Sequence, residues 1–573
     1  MGLSVSPRAR SHYSVTKHVN SNMRRTRPRP CLLVEALEDR RLLSASSSDP
    51  RGTQALDQID HFVILYEENW SFDGLFGNFP GANGISNASP ASLTQIDRLT
   101  GKPYTQELGQ TFDIAYNDQP QLTTPPQPIN NNVTPSVIDS NFPAGLDTLH
   151  PYTLNAPPVN LPTSAHTGDL VHRYWQEQSQ IDHGAMNQYV TWSDNPGLVM
   201  SNFDTSQLPE YKLAQQYTLD DNFFHAAFGG SFLNHQFLVA AAAPVYPNAP
   251  ASMQAILDST GQLKLDANGK IIQDGNITPI GGTAFGDTSD PGQTFDKNYA
   301  VNTIYSANLV PNGSIPGSST LLPSQNDSNP DDPNRPYIPT IGDRLDNAGI
   351  SWKWYSGGWD AALASSPSNP VNGGQTPPNA PVDPNFQWHH QPLAYYDNFA
   401  PWIKDPNTGQ MVRNPLSAAH LQDETNFFTD LSNHQLPAVS FIKPIGEENE
   451  HPGYADLLTG QQHAADIVQA IQHSPYWAHT AIIITYDENG GRWDQVSPPD
   501  NNGIWGDGTR VPTIVISPLA KKGYVDHTEH DTLSILKTIE DRFGLQPLNS
   551  LDAKASSLAS DFIQYKRAEQ GHS

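Results

Sequence analysis

Two pairs of polar residues follow two apolar runs in distant parts of the chain. Glu68 and Asn69 come shortly after residues 61–65, and Asp487 and Glu488 come directly after residues 481–486. Continuous apolar runs of this length are typical of strands that are buried on both faces of a parallel sheet. Ligands of such sheets bind beyond the carboxyl ends of the strands, so we expect all four side chains at one site.

The four side chains could hold a metal ion. Carboxylate and amide oxygens are hard ligands that suit a divalent cation. Carboxylates this close repel one another unless a cation or shared protons neutralise them. We therefore predict a divalent cation on Glu68, Asn69, Asp487 and Glu488, with calcium, magnesium, manganese and zinc as the candidates. The alternative is that each acid is an ordinary loop residue after a strand.

Ser231 stands where a nucleophile could be activated. It follows two glycines and precedes the apolar run 232–243, which predicts a helix that begins at the serine. Free amide hydrogens and the positive end of the helix dipole favour a phosphate there, and they would stabilise an alkoxide. A serine that only caps the helix is the alternative, and it is the commoner role.

These residues resemble a family of bacterial phosphoesterases that contains acid phosphatases and phospholipases C. One matching block is 68–77, in which ENWSFD is followed by a Phe-Gly pair. The other is 485–494, in which TYDENGG is followed by a Trp-Asp pair, and the resemblance runs in blocks from about residue 60 to 545. It implies an alkaline-phosphatase-like α/β fold, a three-layer α/β/α sandwich with a mostly parallel central sheet and loop-rich insertions that form a cap.

The resemblance also implies which residues surround the phosphoryl group. Ser231 lies in the block that contains the family's Ser or Thr nucleophile. The histidines that match family blocks are His172, His389, His390 and His451. With an ordinary pKa of about 6.5 they would be charged in mild acid, bind phosphate oxygens and protonate the leaving alcohol, which predicts an acid optimum.

Three further residues are expected to bind substrate. Asn234 would donate to the phosphoryl oxygens, and Asp494 stands in the family's Trp-Asp position. His527 precedes the last predicted helix, and a structural role is its equal alternative.

The sequence thus predicts a metal-dependent phosphoesterase that hydrolyses phosphate monoesters through a phosphoserine. The segment 389–392, His-His-Gln-Pro, resembles the acid phosphatase branch and favours it over the phospholipase branch. Phospholipase C action on phospholipid head groups stays an alternative, as does a non-catalytic surface-binding protein on the same fold. Sulfatase chemistry is disfavoured because it usually needs a Cys-x-Pro-x-Arg-type motif, and the single cysteine, Cys31, lies outside the core.

Length and charge set the domain plan. The 573 residues suit a basic segment, 1–55, and one large catalytic domain, 56–565, with an inserted cap or rim at about 247–339. The formal net charge of -27 argues against nucleic acid as a partner. A small phosphoester stays compatible, because a cation and histidines reverse the field inside a cleft.

The N-terminal segment predicts export. Residues 1–45 carry nine Arg or Lys and three acidic residues, and 37–45 (LEDRRLLSA) resembles a leader motif of large exported bacterial proteins. A plain disordered basic tail is the alternative. The sequence has no run of about 18 apolar residues, so no membrane-spanning segment is expected. The oligomeric state is left open.

Overall fold

An eight-stranded sheet forms the centre of the molecule in the computed structural model. In chain order the strands are β1 (His61–Glu67), β2 (Thr218–Asp220), β3 (Trp352–Ser356), β4 (Leu421–Asp423), β5 (Val439–Lys443), β6 (Thr480–Tyr486), β7 (Thr513–Ile516) and β8 (Tyr524–Asp526). Their spatial order is β4-β3-β5-β1-β6-β7-β2-β8. β7 runs antiparallel to both of its neighbours, and the other pairs are parallel.

The structure describes most of the chain beyond the N-terminal segment. The described residues are 53–98, 100–104, 146–246, 249–259, 261–267, 269–281, 296–302, 306–307, 321–322, 325, 337–365 and 383–563. The predicted export leader at 37–45, Cys31 and residues 1–52 of the predicted basic segment 1–55 lie outside these residues.

Helices and small sheets surround the central sheet. The longer helices are α1 (Tyr174–Ile181), α2 (Pro209–Gln216), α3 (Ser231–Ala240), α4 (Ile341–Ala348), α5 (Trp359–Ser365), α6 (Pro415–His420), α7 (Thr425–Ser432), α8 (Leu457–Gln472) and α9 (Thr532–Phe543). Four-residue helices are Thr53–Leu56, Phe72–Leu75, Pro90–Leu93 and Tyr189–Trp192. Two-stranded sheets pair Ile96–Asp97 with Lys102–Pro103, Tyr152–Thr153 with Ser201–Asn202, Phe223–Phe224 with His530–Asp531, Ile277–Gly281 with Asp296–Ala300, Ser306–Ala307 with Leu321–Leu322, and Trp402–Lys404 with Met411–Arg413.

Side chains of β1 point alternately to two helical layers. On one face Phe62 contacts Phe543 of α9, with ring centroids 6.1 Å apart. On the other face the ring of His61 lies 4.6 Å from that of Tyr476, which follows α8. Because successive residues of a strand face opposite sides, α9 and α8 cover opposite faces of the sheet. This confirms the predicted three-layer α/β/α arrangement with a mostly parallel sheet.

The sheet brings three strand ends together at its carboxyl edge. β1 lies between β5 and β6, and Glu67 is the register partner of Tyr486. The residue after each of these, Glu68 and Asp487, must therefore be neighbours. β5 ends beside them at Lys443. The predicted meeting of the two distant acidic segments is confirmed.

Parts of the predicted insertion lie against α1. An antiparallel bridge joins Leu265 and Ile271, as the predicted hairpin requires. Asp274 pairs with Arg173 at 3.1 Å, and the side chain of Asn302 accepts a hydrogen bond from the Tyr174 amide at 3.0 Å. The described parts of the insertion thus contact the start of the helix that follows His172. Among the described helices, none combines the length and apolar character needed to cross a membrane.

Candidate active site

Glu68 lies at the centre of a buried cluster beyond the end of β1. Its Oε1 is 2.8 Å from Lys443 Nζ and 2.5 Å from His390 Nε2. Its Oε2 is 3.7 Å from His451 Nε2 and accepts a hydrogen bond from the Tyr454 hydroxyl at 3.2 Å. We call these five residues the Glu68 cluster. Burial opposes a charge on Glu68, but His390 and Lys443 outweigh it and hold the pKa of Glu68 well below its usual value.

Asp487 stands beside Glu68 and is in a different electrostatic state. Its Oδ1 accepts hydrogen bonds from the amides of Asn69 at 3.3 Å and Glu488 at 2.9 Å. Burial, and after it the charge of Glu68, raises the pKa of Asp487 to about 7, although Lys443 lowers it. Two adjacent carboxylates in one pocket therefore differ strongly in their hold on a proton.

The two acidic turns fit together because Gly490 has no side chain. A Cβ on Gly490 would lie 2.3 Å from the carbonyl oxygen of Asn69, and the φ of Gly490 is +61°. Asn69 itself has a φ of 69°, a left-handed conformation that asparagine adopts more readily than most residues. This close approach places the Asn69 side chain next to Asp487 and Ser231.

Ser231 is the first residue of α3, and its hydroxyl points at Asn69. Ser231 Oγ donates to Asn69 Oδ1 at 3.3 Å, and the amide of Asn69 donates to Asp487 Oδ1 at 3.3 Å. Gly230 caps the helix without a side-chain hydrogen bond. The amide hydrogens of the first turn and the positive helix end thus surround the hydroxyl.

Asn234 has a structural role, which corrects the predicted contact with phosphoryl oxygens. Its Nδ2 donates to the carbonyl oxygens of Ala227, Gly229 and Gly230, at 2.9, 3.3 and 3.3 Å. Its Oδ1 accepts from the Ala227 amide at 3.0 Å. Because the loop before Ser231 uses both ends of this amide, the side chain fixes the loop instead of the substrate.

Glu177 of α1 anchors the same loop from the other side. It accepts hydrogen bonds from the amides of Gly229 at 2.5 Å and Thr509 at 2.9 Å. Its Oε1 also lies 2.9 Å from Nε2 of His225. Gly229 is needed for this approach, since a Cβ there would lie 2.3 Å from the Tyr174 amide nitrogen.

Histidine rings line the site next to Ser231 and Glu68. His389 and His390 lie on the single 3-10 turn Trp388–His390, with ring centroids 4.9 Å apart. The turn lets both adjacent rings reach one site, which an extended segment would prevent. The ring of His235 lies 5.4 Å from that of His389 and 5.8 Å from that of His390.

The sequence reasoning missed His235, Lys443 and Asp169. His235 lies four residues after Ser231, and residues at that spacing share one face of a helix, so the spacing could have indicated it. Its Nδ1 is 3.7 Å from Asp487 Oδ2. Lys443 is fully buried at the end of β5, and a charge at the carboxyl end of an apolar strand was the signal for it.

The more open side of the site is formed by Asp169, His172 and His451. His172 Nδ1 is 3.5 Å from Asp169 Oδ1, and His172 Nε2 is 3.8 Å from Glu488 Oε1. The rings of His172 and His451 lie 5.9 Å apart. The Asp169 side chain is 34% exposed, whereas that of Glu488 is fully buried. Partial desolvation raises the pKa of Asp169 to about 6, although His451 acts to lower it.

Burial lowers the pKa of the site histidines, which opposes the charge that was expected on them in mild acid. The histidines whose pKa burial lowers are His172, His235, His389, His390 and His451. The pKa values of His235 and His389 fall well below the ordinary value. A neutral ring can donate from one nitrogen and accept at the other, so these rings can still bind a phosphoryl group.

The residues present fit a divalent cation. Ligand atoms of Glu68, His235 and Asp487 lie within 4.8 Å of one another. Asp487 Oδ2 and His235 Nε2 are buried and have no hydrogen-bond partner among the described residues. Asn69 Oδ1 faces Ser231, while Glu488 has one oxygen bonded to the Gly490 amide at 2.6 Å and the other turned towards His172. Glu68 and Asp487 thus fit best among the four predicted ligands, and His235 adds a nitrogen.

Two other predicted substrate contacts lie elsewhere. Asp494 is fully buried and accepts from Arg510 Nε at 2.9 Å and from the amides of Asp73 and Val496. His527 follows β8, and its Nδ1 lies 2.8 Å from a carboxylate oxygen of Asp221. β8 is three strand positions, or about 14 Å, away from β6. Asp494 is therefore corrected to a structural role, because Arg510 and two backbone amides engage it. For His527 the structural alternative is favoured, because its Nδ1 contacts Asp221 away from β6.

Comparison with known proteins gives one family and a consistent set of relatives. The family described as "Phosphoesterase family" matches residues 59–546. Phospholipase C B of Mycobacterium tuberculosis (strain H37Rv) is 23% identical over 535 residues, which cover 88% of this chain and 77% of that protein. The non-hemolytic phospholipase C of Burkholderia pseudomallei (strain K96243) is 24% identical over 86% of this chain and 56% of its own length. Non-specific phospholipase C6 of Arabidopsis thaliana is 30% identical over 22% of this chain and 29% of that protein.

Solved structures overlap with the chain only loosely. A protein of the alkaline phosphatase superfamily from Vibrio parahaemolyticus superposes with a TM-score of 0.28 at 9% identity, over 72% of this chain and 76% of that one. The phosphonate monoester hydrolase of Agrobacterium radiobacter gives a TM-score of 0.26 at 14% identity, over 63% and 72%. Overlaps of this size add nothing to the fold described above.

Proposed function

The chain belongs to the phosphoesterase family, and from that premise we propose that it hydrolyses phosphate monoesters through a phosphoserine on Ser231. Family membership makes it a hydrolase that acts on phosphoric ester bonds. The observation that carries the finer proposal is the position of Ser231. Its hydroxyl opens α3, donates to Asn69 and lies against Asp487 in a buried pocket.

A divalent cation on Glu68, Asp487 and His235, with Asn69 beside them, completes the proposed site. When bound, it would favour the alkoxide form of Ser231 and offset the negative charge of the phosphoryl group. Without it, the ammonium group of Lys443 offsets the charge of Glu68, and the ring of His390 lies 2.5 Å from the same carboxylate oxygen. Lys443 and His390 thus hold Glu68 in place when no cation is bound.

The first chemical step is an in-line attack by Ser231. Ser231 Oγ attacks as the alkoxide, after its proton has passed to water. It forms the new bond to phosphorus as the bond from phosphorus to the alcohol oxygen breaks, and the electron pair leaves on that oxygen. The first amide hydrogens of α3 stabilise the phosphoryl oxygens, because no side chain caps this helix end. Water then attacks the phosphoserine, which releases phosphate and restores the hydroxyl.

The leaving alcohol departs on the side of Asp169, His172 and His451. This side is the more exposed one, so an alcohol of variable size has room there. Asp169, with a pKa of about 6, and the adjacent His172 can deliver a proton to the leaving oxygen. We propose that the described parts of the insertion at about 247–339 form a rim on this side, as the contact of Asp274 with Arg173 supports.

Monoesters are favoured by the enclosure of the phosphoryl subsite. Ser231, His389 and His390 are 4%, 4% and 1% exposed, which suits a small terminal phosphoryl group. Phospholipase C action is the second candidate, because the curated relatives carry that name. It would need the two substituents of a diester to leave the pocket past His172 and His451.

Ser231→Ala tests the nucleophile. We expect loss of aryl phosphate hydrolysis by more than about 1000-fold, because the attacking oxygen is gone. In wild-type protein, rapid quench followed by mass spectrometry should find one phosphoryl group on the peptide that contains Ser231. The fold of the variant is checked by circular dichroism and thermal unfolding. Hydrolysis that persists in the folded variant would refute the assignment.

The substrate class is tested on protein stripped of metal and then reconstituted with one cation at a time. The rates with an aryl phosphate, a bis-aryl phosphate and phosphatidylcholine vesicles are compared at equal protein. We expect the monoester to be the fastest substrate by kcat/KM. If phosphatidylcholine is cleaved faster, the phospholipase alternative holds and the monoester proposal fails.

A further inference from the structure

A second cluster of buried carboxylates lies at the same edge of the sheet, away from Ser231. Asp220 ends β2, Asp526 ends β8, and Asp561 ends the C-terminal turn Leu558–Asp561. An oxygen of each carboxylate lies within 4.8 Å of the others. The three residues are 0%, 2% and 0% exposed. We call them the distal cluster.

The fold forces these carboxylates together. β2 and β8 are parallel neighbours, and Asp220 is the register partner of Asp526. Like charges placed opposite each other on adjacent strands are destabilising, and burial strengthens their repulsion. Asp561 is held against the pair by its main chain, whose carbonyl accepts from the Lys521 amide at 2.8 Å and the Thr218 hydroxyl at 3.2 Å.

The carboxylates lack the partners that buried acids normally have. Both oxygens of Asp220, both of Asp561 and one of Asp526 have no hydrogen-bond partner among the described residues. No Lys, Arg or His of the described part of the chain forms an ion pair with any of them. Asp494, at the same edge, shows the usual case, because Arg510 and two amides satisfy it. Buried acids without a cationic partner or an amide donor are costly, and the side-chain neighbours that act on the fully buried Asp220 are led by the acids Asp561 and Asp526.

We propose that Asp220, Asp526 and Asp561 hold a divalent cation that ties β2, β8 and the C-terminal turn together. The ligands are all carboxylate oxygens, which select a hard cation, and calcium tolerates their number and geometry best. The site is structural, since it lies two strand positions, about 10 Å, from β6 and does not include Ser231.

Protons are the competing way to neutralise the cluster. Burial raises the pKa of Asp220 and of Asp561 well above the ordinary value. Burial also opposes the charge on Asp526, but hydrogen bonds from Thr528 outweigh it and lower the pKa of Asp526. The cation-free chain would therefore keep one charge and share protons among the rest, and an experiment must separate the two states.

The test compares Asp220→Asn/Asp561→Asn with wild type. The amides keep the shape and remove two charges. The full-length proteins are dialysed against calcium at neutral pH, and bound calcium per chain is measured by mass spectrometry of the metal. We expect one calcium fewer per chain in the variant. We also expect the calcium-dependent rise in Tm to shrink by about 3 °C, because a ligand of the folded state stabilises it.

A matched control carries the same charge change on the surface. Asp57→Asn/Asp500→Asn removes two exposed carboxylates and should bind as much calcium as wild type. The active site also binds cations, so only the difference between these variants counts. Retained aryl phosphate hydrolysis shows that the distal variant is folded. Equal calcium content in the folded distal variant and wild type would overturn the proposal in favour of shared protons.

Wild-type crystals provide a second measurement if the distal variant does not fold. Crystals grown with manganese should show an anomalous difference peak between the three carboxylates. A map with a peak at Asp487 and none at Asp220 would overturn the proposal. Neither outcome bears on Ser231, so the proposed function is tested separately.

Discussion

The Glu68 cluster and the distal cluster lie at one edge of one sheet and differ in how they neutralise buried acid. Around Glu68 the chain supplies Lys443, a tyrosine hydroxyl and two histidine rings. Around Asp220 the described residues supply no ion pair, and Thr528 serves Asp526 alone. The first cluster can stay charged and folded without an ion, whereas the second must take up a cation or protons.

The difference teaches where an ion can do chemistry. A site whose charge the protein already balances can release and rebind a cation. It can also contain a carboxyl group such as Asp487, whose pKa is raised to about 7. A site with no balancing group binds its cation as part of the fold. We therefore expect loss of a cation from the Glu68 site to lower activity, and loss of a cation from the distal cluster to lower stability.

Lys443→Met should have the largest effect on stability, because it removes the cation that pairs with Glu68 in the Glu68 cluster. The buried Glu68 would lose the ammonium group 2.8 Å away. We expect the free energy of unfolding in chelator to fall by about 3–5 kcal/mol, the usual result of breaking a buried ion pair. Urea unfolding with and without a divalent cation measures it, and the cation should restore part of the loss.

Lys353→Met is the control for that change. Lys353 pairs with Asp430 at 2.5 Å, but its side chain is 25% exposed. The expected loss is below about 1 kcal/mol, with no response to the cation. Equal losses of unfolding free energy in the two variants would show that burial does not determine how much Lys443 contributes to stability.

Glu177→Gln should come next and should affect the rate. The glutamine amide cannot accept all of the hydrogen bonds that fix Gly229 and Thr509. A small displacement of Ser231 would then lower kcat by about 100-fold, with a smaller change in KM. Steady-state kinetics with an aryl phosphate measures both. Glu540→Gln is the matched control, because Glu540 is buried with a pKa of about 9 and is already uncharged; a similar loss there would contradict the role of Glu177.

The smallest expected effect concerns the pH dependence of stability. The unfolded chain protonates its histidines below about pH 6.5, but buried His389 resists protonation because burial lowers its pKa. The folded state therefore loses stability as pH falls below about 6.5. His389→Gln should lose about 1–2 kcal/mol less than wild type between about pH 7 and about pH 5.

Urea unfolding of the chelated proteins at several pH values measures this difference. Buried carboxyl groups with a raised pKa, such as Asp487, act in the opposite direction, but they are common to both proteins and cancel. His473→Gln, on an exposed histidine, is the control. Parallel curves for wild type and His389→Gln would contradict the neutral, buried state of His389.

The sequence was sufficient to predict the meeting of Glu68 with Asp487 and the helix that begins at Ser231. Both follow from local patterns, an apolar strand that ends in acids and a glycine pair before an apolar helix. The roles of Asn234 and Asp494 depended on which donors and acceptors the surrounding loops supply, and no local pattern contains that information. The charge of the histidines depended on burial, which a reference pKa ignores.

The central position of β1 also bears on how the protein is made. β1 comes first in sequence among the strands of the central sheet, yet its neighbours β5 and β6 come near the end. Contacts so distant in sequence form slowly, and a domain usually folds as a unit during synthesis. Both edges of β1 can be paired only after the chain has been synthesised as far as residue 486, the end of β6. Any truncation before that point leaves an apolar strand exposed to aggregation and a hydroxyl without its carboxylates.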